Sequence, residues 1–227
     1  MSDAGDTSRP SPAVQDYLKA IYRVEEDSGR SVVATSEVAA ALGVTAPSAS
    51  GMLKKLVQLG YANQSDRRGA VELSESGRAA ALEVIRHHRL LETFLVTRLG
   101  LPWDQVHREA EILEHHISEE LEARIAEELG HPDRDPHGDP IPTLGGEIVD
   151  VPAAVLADLG EGERAIVRRV SDQDPELLRY LADKGLVPDA VIEIVSRGAF
   201  GGPLGVRVDG GAVIDVPREV ARAVRVA

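Results

Sequence analysis

The residues with the clearest chemical potential are two histidines and two glutamates within residues 105–129. His107, Glu111, Glu114 and His115 follow one another at spacings of four, three and one, and the segment contains no Pro or Gly. We therefore predict one long helix, on which these side chains share a face because successive residues turn by about 100°. Imidazole nitrogens and carboxylate oxygens on a rigid support are ligands for a divalent cation, so the spacing indicates a metal site.

A second fragment of the same kind lies upstream, where His88 and Glu92 are four residues apart. All seven histidines of the chain lie between His87 and His137, which indicates a specialised central region. The alternative is a solvated acidic face, since a helix rich in glutamate brings Glu and His together without binding anything. We interpret His131 and His137 as loop histidines rather than ligands, because Pro and Gly surround them.

Two further helices must position these residues. We predict one over 13–26 and another from Gly77 to just before Gly100, which carries His88 and Glu92. The second helix has more apolar residues than one intrachain face requires, so we expect it to form a dimer interface with the 105–129 helix. The apolar residues are Leu82, Ile85, Leu90, Leu91, Phe94 and Leu95.

Residues 35–60 have the pattern of a helix–turn–helix. A helix opens near Thr35 and stops at Gly43, and a second begins at Ala46 and Pro47, where proline suits a first turn. The segment after it predicts a β-hairpin with Arg67-Arg68-Gly69 at its tip, which makes a winged helix–turn–helix. An ordinary helical hairpin is the alternative, but the polar start of the second helix and the basic tip favour DNA binding.

The C-terminal part changes character. Residues 130–146 are rich in Pro, Gly and Asp, which predicts a linker or a long ordered loop. From about Ile148 onward, short β-like runs are separated by Gly and Pro and interrupted by one helix, PELLRYLADKG, which indicates a small SH3-like β-barrel. No nucleophile arrangement or phosphate loop is recognisable there.

Composition limits the other possibilities. The chain has 227 residues and no cysteine, which excludes disulfides, iron–sulfur clusters and thiolate-rich zinc sites. The net charge of −13 is uneven, because residues 36–71 carry a net +2. Screening limits repulsion to about 8–10 Å at ordinary salt, so this segment can still contact phosphates. With neither a signal peptide nor a long apolar run, we expect a cytoplasmic protein.

The order of these parts resembles the diphtheria toxin repressor family of metal-dependent regulators, and is closer to the branch of manganese transport regulators. The resemblance runs from Gln15 to the end of the chain and depends on the motifs VQDYLKAIY, RHHRLLETFL, VHREAEILEHHIS and DPHGDPIP. It implies an α+β multidomain protein. Its divisions would be a disordered N-terminus (1–12), a winged helix–turn–helix DNA-binding domain (13–76), a helical dimerisation and metal-binding domain with linker (77–146) and an SH3-like, FeoA-like domain (147–227).

Family members hold two neighbouring metal sites, and the resemblance transfers them to this chain. The primary site would use Asp16, Glu111, Glu114 and His115. The ancillary site would use His88, Glu92 and His107, with Asp172 and Gln173 added from the C-terminal domain. The contacts with DNA would come from Thr45, Pro47, Ser48 and Ser50 of the recognition helix, with basic residues Lys54, Arg67 and Arg68.

Two departures from the family pattern bear on the metal. Iron-sensing members have Met and Cys where this chain has Asp16 and Glu111. Oxygen and imidazole donors suit Mn²⁺ better than a thiolate-containing set, so we expect Mn(II) in two sites per subunit, with Fe(II), Co(II) or Zn(II) able to substitute. The short manganese regulators have Glu where this chain has Lys19, and they lack the C-terminal barrel, so the longer members guide the ancillary site.

The resemblance implies a homodimeric repressor that binds double-stranded operator DNA when metal is bound and controls metal-uptake genes. It implies no membrane, no small-molecule substrate and no enzymatic activity. One alternative is an Fe(II)-dependent regulator of the same family. A dinuclear metal enzyme is another, although only Glu111, Glu114 and His115 approach the paired motifs that such a helical site requires. A repressor that senses an organic ligand is the third.

Overall fold

The computed structural model describes residues 9–65, 69–149 and 151–227, which form two compact units. The first unit comprises the described residues up to Arg86 together with Leu144–Gly146. The second comprises the described residues of His87–Thr143 and Glu147–Ala227. The predicted disorder of residues 1–12 falls largely outside the described residues, and Pro12 already begins the first helix. The division into three domains stays a prediction.

The first unit has the predicted winged helix–turn–helix. Its helices are α1 (Pro12–Ser28), α2 (Thr35–Ala41) and α3 (Ala46–Gln58), and its strands are β1 (Val33–Ala34), β2 (Ala62–Gln64) and β3 (Ala70–Leu73). The strands form an antiparallel sheet in the order β1-β3-β2, in which β2 and β3 are the predicted hairpin. The short strand β1 was not predicted, because two residues are too few to show an alternating pattern.

Local chemistry explains the helix boundaries of this unit. Pro12 opens α1, and Gly29 ends it with a φ of 64°, a left-handed conformation that glycine adopts without a steric cost. The side chain of Thr45 caps α3 by accepting a hydrogen bond from the backbone N–H of Ser48. The buried face of α3 holds Leu53 and Leu56, so its polar residues are left on the opposite side.

Helix α4 (Glu75–Thr97) continues from the first unit into the second. At its start, the Ser74 hydroxyl accepts a hydrogen bond from the backbone N–H of Gly77 at 3.0 Å. A Cβ atom at Gly77 would lie 1.8 Å from the carbonyl oxygen of Tyr61, so only glycine permits this close packing. The predicted helix from Gly77 to before Gly100 is thus confirmed, with a start two residues earlier.

The predicted single helix over 105–129 is wrong. The structure has α5 (Val106–Leu113) and α6 (Glu119–Glu128), with turns between them. Ser118 caps α6, and its hydroxyl accepts a hydrogen bond from the backbone N–H of Leu121 at 3.2 Å. Glutamates fill the first turn of α6, where the helix dipole favours negative charge, so a new helix starts without Pro or Gly. Glu114 and His115 consequently lie in the turn after α5, and the predicted common helical face does not exist.

The C-terminal part of the second unit is the predicted β-structure. Its strands are β4 (Ala154–Val155), β5 (Arg164–Val170), β6 (Val191–Arg197), β7 (Leu204–Val208), β8 (Val213–Val216) and β9 (Val224–Val226). They form one antiparallel sheet in the order β4-β9-β5-β6-β7-β8. The predicted helix is α7 (Pro175–Asp183), and a short helix α8 (Arg218–Arg222) precedes β9. Leu178 and Leu181 of α7 pack into the apolar core of this sheet.

The apolar residues of α4 are not surplus, because they pack within the chain, and the predicted dimer interface of α4 stays a prediction. Leu82, Ile85, Leu90, Leu91 and Leu95 are buried within the chain itself, and Phe94 is partly buried against the core that contains Leu90 and Leu91. A different set of large apolar side chains is exposed around the helical region: Leu99, Ile112, Leu113 and Leu121.

No helix in the described part of the chain is both long enough and apolar enough to cross a membrane.

Candidate metal centre

Three segments of the second unit bring four of the predicted ligands together. Helix α4 supplies His88 and Glu92, which stand one turn apart and are 1% and 0% exposed. Helix α5 supplies His107, and the loop after β5 supplies Asp172. One donor atom from each of the four lies within 4.8 Å of the others. These are the predicted ancillary ligands, and we name them the α4–α5 cluster.

Glu92 Oε1 is the common partner within the α4–α5 cluster. It lies 3.0 Å from His88 Nε2 and 3.2 Å from His107 Nδ1. The same Nδ1 atom is 3.2 Å from Asp172 Oδ2. Two imidazoles and two carboxylates therefore point their donor atoms at one small volume, which is the arrangement that a divalent cation requires.

The pKa values reflect this concentration of charge. Burial by itself would raise the pKa of Glu92, but His88, His107 and His137 together hold it well below its usual range. Burial would likewise lower the pKa of His107, yet Asp172 and Glu92 outweigh it and raise that pKa to about 10. Positive charge is therefore favoured here, whether it comes from protons or from a metal ion.

Gln173 lies at the edge of the α4–α5 cluster. Its side chain is exposed, and its Nε2 donates a hydrogen bond to Asp172 Oδ1 at 2.6 Å. The amide thus orients the carboxylate of Asp172 in this structure. Its predicted role as a ligand stays a prediction.

A second group of donors adjoins the first through His88. One donor atom each from His88, Glu111 and Glu114 lies within 4.8 Å of the others, and His88 Nδ1 is 2.5 Å from Glu114 Oε2. His115 Nε2 lies 3.6 Å from Glu114 Oε1, so three of the four predicted primary ligands are neighbours. The fourth, Asp16, lies half-buried on α1 in the first unit, and its place in the primary site stays a prediction.

The sequence indicated neither Asp135 nor His137 as a ligand, yet both residues line this region. His137 is fully buried, and its Nδ1 lies 3.7 Å from Glu92 Oε2. Donor atoms of Glu92, Asp135 and His137 lie within 4.8 Å of one another, and all three residues are buried. Burial raises the pKa of Asp135 to about 8, with Asp139 and Glu92 adding to the effect. The motif DPHGDP was the available signal, but a Pro- and Gly-rich segment gave no reason to expect burial.

The donor set fits a divalent metal of intermediate or hard character. It consists of imidazole and carboxylate groups, and the chain has no cysteine to offer a thiolate. The donors are largely buried among carboxylates, and buried charge of one sign requires compensation. A divalent cation would provide that compensation.

The DNA-facing residues predicted from the sequence have the required exposure on α3. Ser50 is half-buried, whereas the remaining four described candidates are exposed: Thr45, Pro47, Ser48 and Lys54. Arg67 and Arg68, predicted at the tip of the wing, lie outside the described residues. Contacts with DNA stay a prediction for all of them.

Comparison with known proteins gives three family matches along the chain. They are "Iron dependent repressor, N-terminal DNA binding domain" over residues 11–70, "Iron dependent repressor, metal binding and dimerisation domain" over 74–143 and "FeoA domain" over 155–227. The iron-dependent repressor IdeR of Mycobacterium tuberculosis is 32% identical over 222 residues, which cover 92% of this chain and 94% of IdeR.

Solved structures agree with these matches. A manganese-dependent transcriptional repressor in complex with manganese has a TM-score of 0.86 and 43% identity, and the match covers 94% of this chain and 99% of the other. ScaR with bound Cd²⁺ has a TM-score of 0.78 and 30% identity, with 94% and 98% covered.

A winged DNA-binding domain followed by a metal-binding and dimerisation domain defines a class of metal-dependent transcriptional repressors. This chain belongs to the iron-dependent repressor family, which includes the diphtheria toxin repressor. The resemblance inferred from the sequence is therefore confirmed, as are the winged helix–turn–helix, the helical domain and the C-terminal FeoA, SH3-like β-sheet domain.

Proposed function

We propose that this protein is a homodimeric repressor that takes Mn²⁺ as its corepressor and then binds operator DNA to control metal-uptake genes. The observation that carries the proposal is the α4–α5 cluster, in which buried and half-buried imidazole and carboxylate donors converge without any sulfur ligand. Such a set suits Mn²⁺. The similarity to a manganese-dependent repressor at 43% identity supports the same metal.

Two sites per subunit account for the predicted ligands. The ancillary site would consist of His88, Glu92, His107 and Asp172, with Gln173 orienting Asp172. The primary site would consist of Asp16, Glu111, Glu114 and His115. A bound divalent cation supplies positive charge that offsets the repulsion among these carboxylates.

The chain's own residues would connect metal binding to DNA binding. Asp16 belongs to the DNA-binding domain, whereas Glu111, Glu114 and His115 belong to the domain named for metal binding and dimerisation. In our proposal, Asp16 completes the primary ligand set, so metal binding favours one conformation of the dimer. Ligand binding stabilises the favoured conformation by RT ln(1 + [L]/Kd), about 2.7 kcal/mol at a hundredfold excess of metal.

Dimer formation would use the apolar side chains that the described helical region leaves exposed. Ile112 and Leu113 stand at the end of α5, and Leu121 stands on α6. A dimer would place two α3 helices against half-sites about one helical turn of DNA apart.

The proposal is tested by the metal dependence of DNA binding. A duplex is selected from a random pool with Mn²⁺-loaded protein, and its affinity is measured by fluorescence anisotropy with Mn²⁺ and with EDTA. We expect affinity to be about a hundredfold weaker in EDTA, the equivalent of about 2.7 kcal/mol. Equal affinity in the two conditions would overturn the corepressor role. The matched control is Glu109→Gln, an α5 carboxylate outside the donor groups of the described residues.

The second candidate is an iron-dependent repressor of the same family. The 32% identity to the iron-dependent repressor IdeR of Mycobacterium tuberculosis favours it. The anisotropy titration repeated with Fe²⁺ under anaerobic conditions separates the two. Activation by Fe²⁺ at lower free metal concentration than by Mn²⁺ would replace the manganese assignment.

A further inference from the structure

We propose that Glu92, Asp135 and His137 form a third divalent-cation site, with Glu92 shared between it and the α4–α5 cluster. The inference extends the proposed function, because it assigns Glu92 to two sites. The three residues are buried and offer donor atoms within 4.8 Å of one another. We name them the loop site, because Asp135 and His137 lie in the loop after α6.

The tautomer of His137 leaves one ring nitrogen available to a metal ion. Its Nε2 lies 2.8 Å from the carbonyl oxygen of Trp103, so Nε2 carries the proton and donates. In the neutral ring, Nδ1 then presents a lone pair. This Nδ1 has no hydrogen-bond partner among the described residues, although it is fully buried. A metal-binding histidine typically has this arrangement, with its second ring nitrogen donating to a carbonyl oxygen.

The second carboxylate oxygen of Glu92 is also available to a metal ion. Oε1 faces His88 and His107, whereas Oε2 is buried and lacks a hydrogen-bond partner in the described part of the protein. Oε2 lies 3.7 Å from His137 Nδ1, which is too long for a hydrogen bond. Metal–ligand distances of about 2.1 Å allow one ion to contact two donors up to about 4.2 Å apart. One cation can therefore contact both unpartnered atoms.

One carboxylate oxygen of Asp135 accepts hydrogen bonds from the backbone of its own loop. Oδ1 accepts hydrogen bonds from the backbone N–H groups of His137 at 2.8 Å and of Asp139 at 3.0 Å. Oδ2 lies 3.9 Å from Arg89 Nε, so the guanidinium compensates part of the negative charge. Arg89 also lies 3.7 Å from Asp139, which spreads its charge over two carboxylates. The charge of Arg89 is therefore engaged by Asp135 and Asp139.

The surrounding structure holds the loop site in place. A Cβ atom at Gly138 would lie 1.9 Å from the carbonyl oxygen of Arg168, so the loop packs directly on the backbone of β5. The carbonyl oxygen of His137 accepts a hydrogen bond from the backbone N–H of Val170 at 2.9 Å. The ring of Trp103 stacks on the ring of His137 with centroids 5.5 Å apart. Position and orientation of the imidazole are thus fixed before any ligand arrives.

The ligand class follows from the donors. One imidazole nitrogen and two carboxylates suit a divalent first-row ion such as Mn²⁺, Fe²⁺ or Zn²⁺. Glu92 would bridge this ion and the one in the α4–α5 cluster, one oxygen to each. The competing account is a protonated His137 with no cation, since Glu92 and Asp135 outweigh burial and raise the pKa of His137 to about 9.

The test measures the Mn²⁺ content of the full-length protein by equilibrium dialysis. His137→Gln keeps a donor for the Trp103 carbonyl but removes Nδ1. Asp135→Asn keeps an oxygen that can accept the two backbone hydrogen bonds. We expect each variant to bind one Mn²⁺ fewer per subunit than the wild type. The matched control is His131→Asn, an exposed loop histidine with a φ of 55° that asparagine tolerates, and it should leave the metal content unchanged.

Unchanged Mn²⁺ content in both variants would overturn the loop site. Metal-dependent DNA binding is measured on the same samples. If Mn²⁺ activates DNA binding by the wild type but the variants bind as many Mn²⁺ ions as the wild type, only the loop site is contradicted. A wild type that binds Mn²⁺ but shows no activation contradicts only the proposed function. If His137→Gln does not fold, cadmium NMR of the wild type and Asp135→Asn decides, because one cadmium resonance should vanish in the variant and its persistence would refute the site.

Discussion

Binding of metal at the α4–α5 cluster should displace a proton from His107. The carboxylates of Asp172 and Glu92 outweigh burial and raise the pKa of His107 to about 10. The ring is therefore protonated near neutral pH in the metal-free protein. Because a metal ligates the neutral imidazole, metal and proton compete for the same atom.

The magnitude follows from this competition. Each pH unit between about 7 and about 9 should strengthen Mn²⁺ binding at this cluster about tenfold, or about 1.4 kcal/mol. Isothermal titration calorimetry in buffers of different ionisation enthalpy measures both the affinity and the protons released. We expect at least one proton per subunit to be released at neutral pH.

The matched variant is Asp172→Asn, because the hydrogen bond that His107 donates to Asp172 is the largest contribution that raises the pKa of His107. Its affinity for Mn²⁺ will fall through the loss of a ligand, so the quantity to compare is the change of Mn²⁺ affinity per pH unit. That slope should flatten, since His107 holds its proton less tightly. Mn²⁺ affinity that is independent of pH in the wild type, without proton release, would refute the assignment of His107 as a protonated ligand.

Three further predictions concern stability. The free energy of unfolding of the metal-free protein, measured by urea titration, should fall as the pH rises from 6.5 towards 9–10. The folded-state pKa values of His137 and His107 are raised to about 9 and about 10, so their stabilising contribution is complete below pH 6.5 and lost above the raised values. A constant free energy of unfolding over this range would contradict the prediction. Gly77→Ala should lower the free energy of unfolding by about 1–3 kcal/mol, because its Cβ would overlap a backbone carbonyl oxygen. Gly51→Ala, in α3 with open space around it, should raise that free energy by about 0.5–1 kcal/mol as the control. Ser118→Ala should lower the free energy of unfolding by about 1 kcal/mol through loss of the α6 cap. An unchanged free energy of unfolding would argue for a continuous helix.

Features set by local chemistry were predictable from the sequence. The helix–turn–helix followed from Gly43 and from the proline and polar residues that open α3, which act within a few residues of one another. The pairing of His88 with Glu92 followed from helical spacing alone. The assignment of Asp172 to the same donors came from family resemblance, and the structure brings its carboxylate to His107.

Features set by long-range packing were not predictable. Ser118 carries an N-cap signature, but the run of glutamates around it reads equally well as the interior of one helix. His137 lies in a Pro- and Gly-rich loop, and its burial depends on Trp103 and on β5, both distant in sequence. The packing of the apolar residues of α4 depends on partners such as Ile117 and Ile125, whose contact with Leu90 and Leu91 the sequence does not show.

Diffraction from crystals of the Mn²⁺-loaded protein at the manganese absorption edge would show whether the α4–α5 cluster and the residues around Glu114 hold the metal. Our proposal predicts anomalous peaks within bonding distance of Glu92 and His107, and of Glu114 and His115, at about 2.0–2.3 Å from the donor atoms. Full manganese loading with anomalous peaks only at other residues would contradict it.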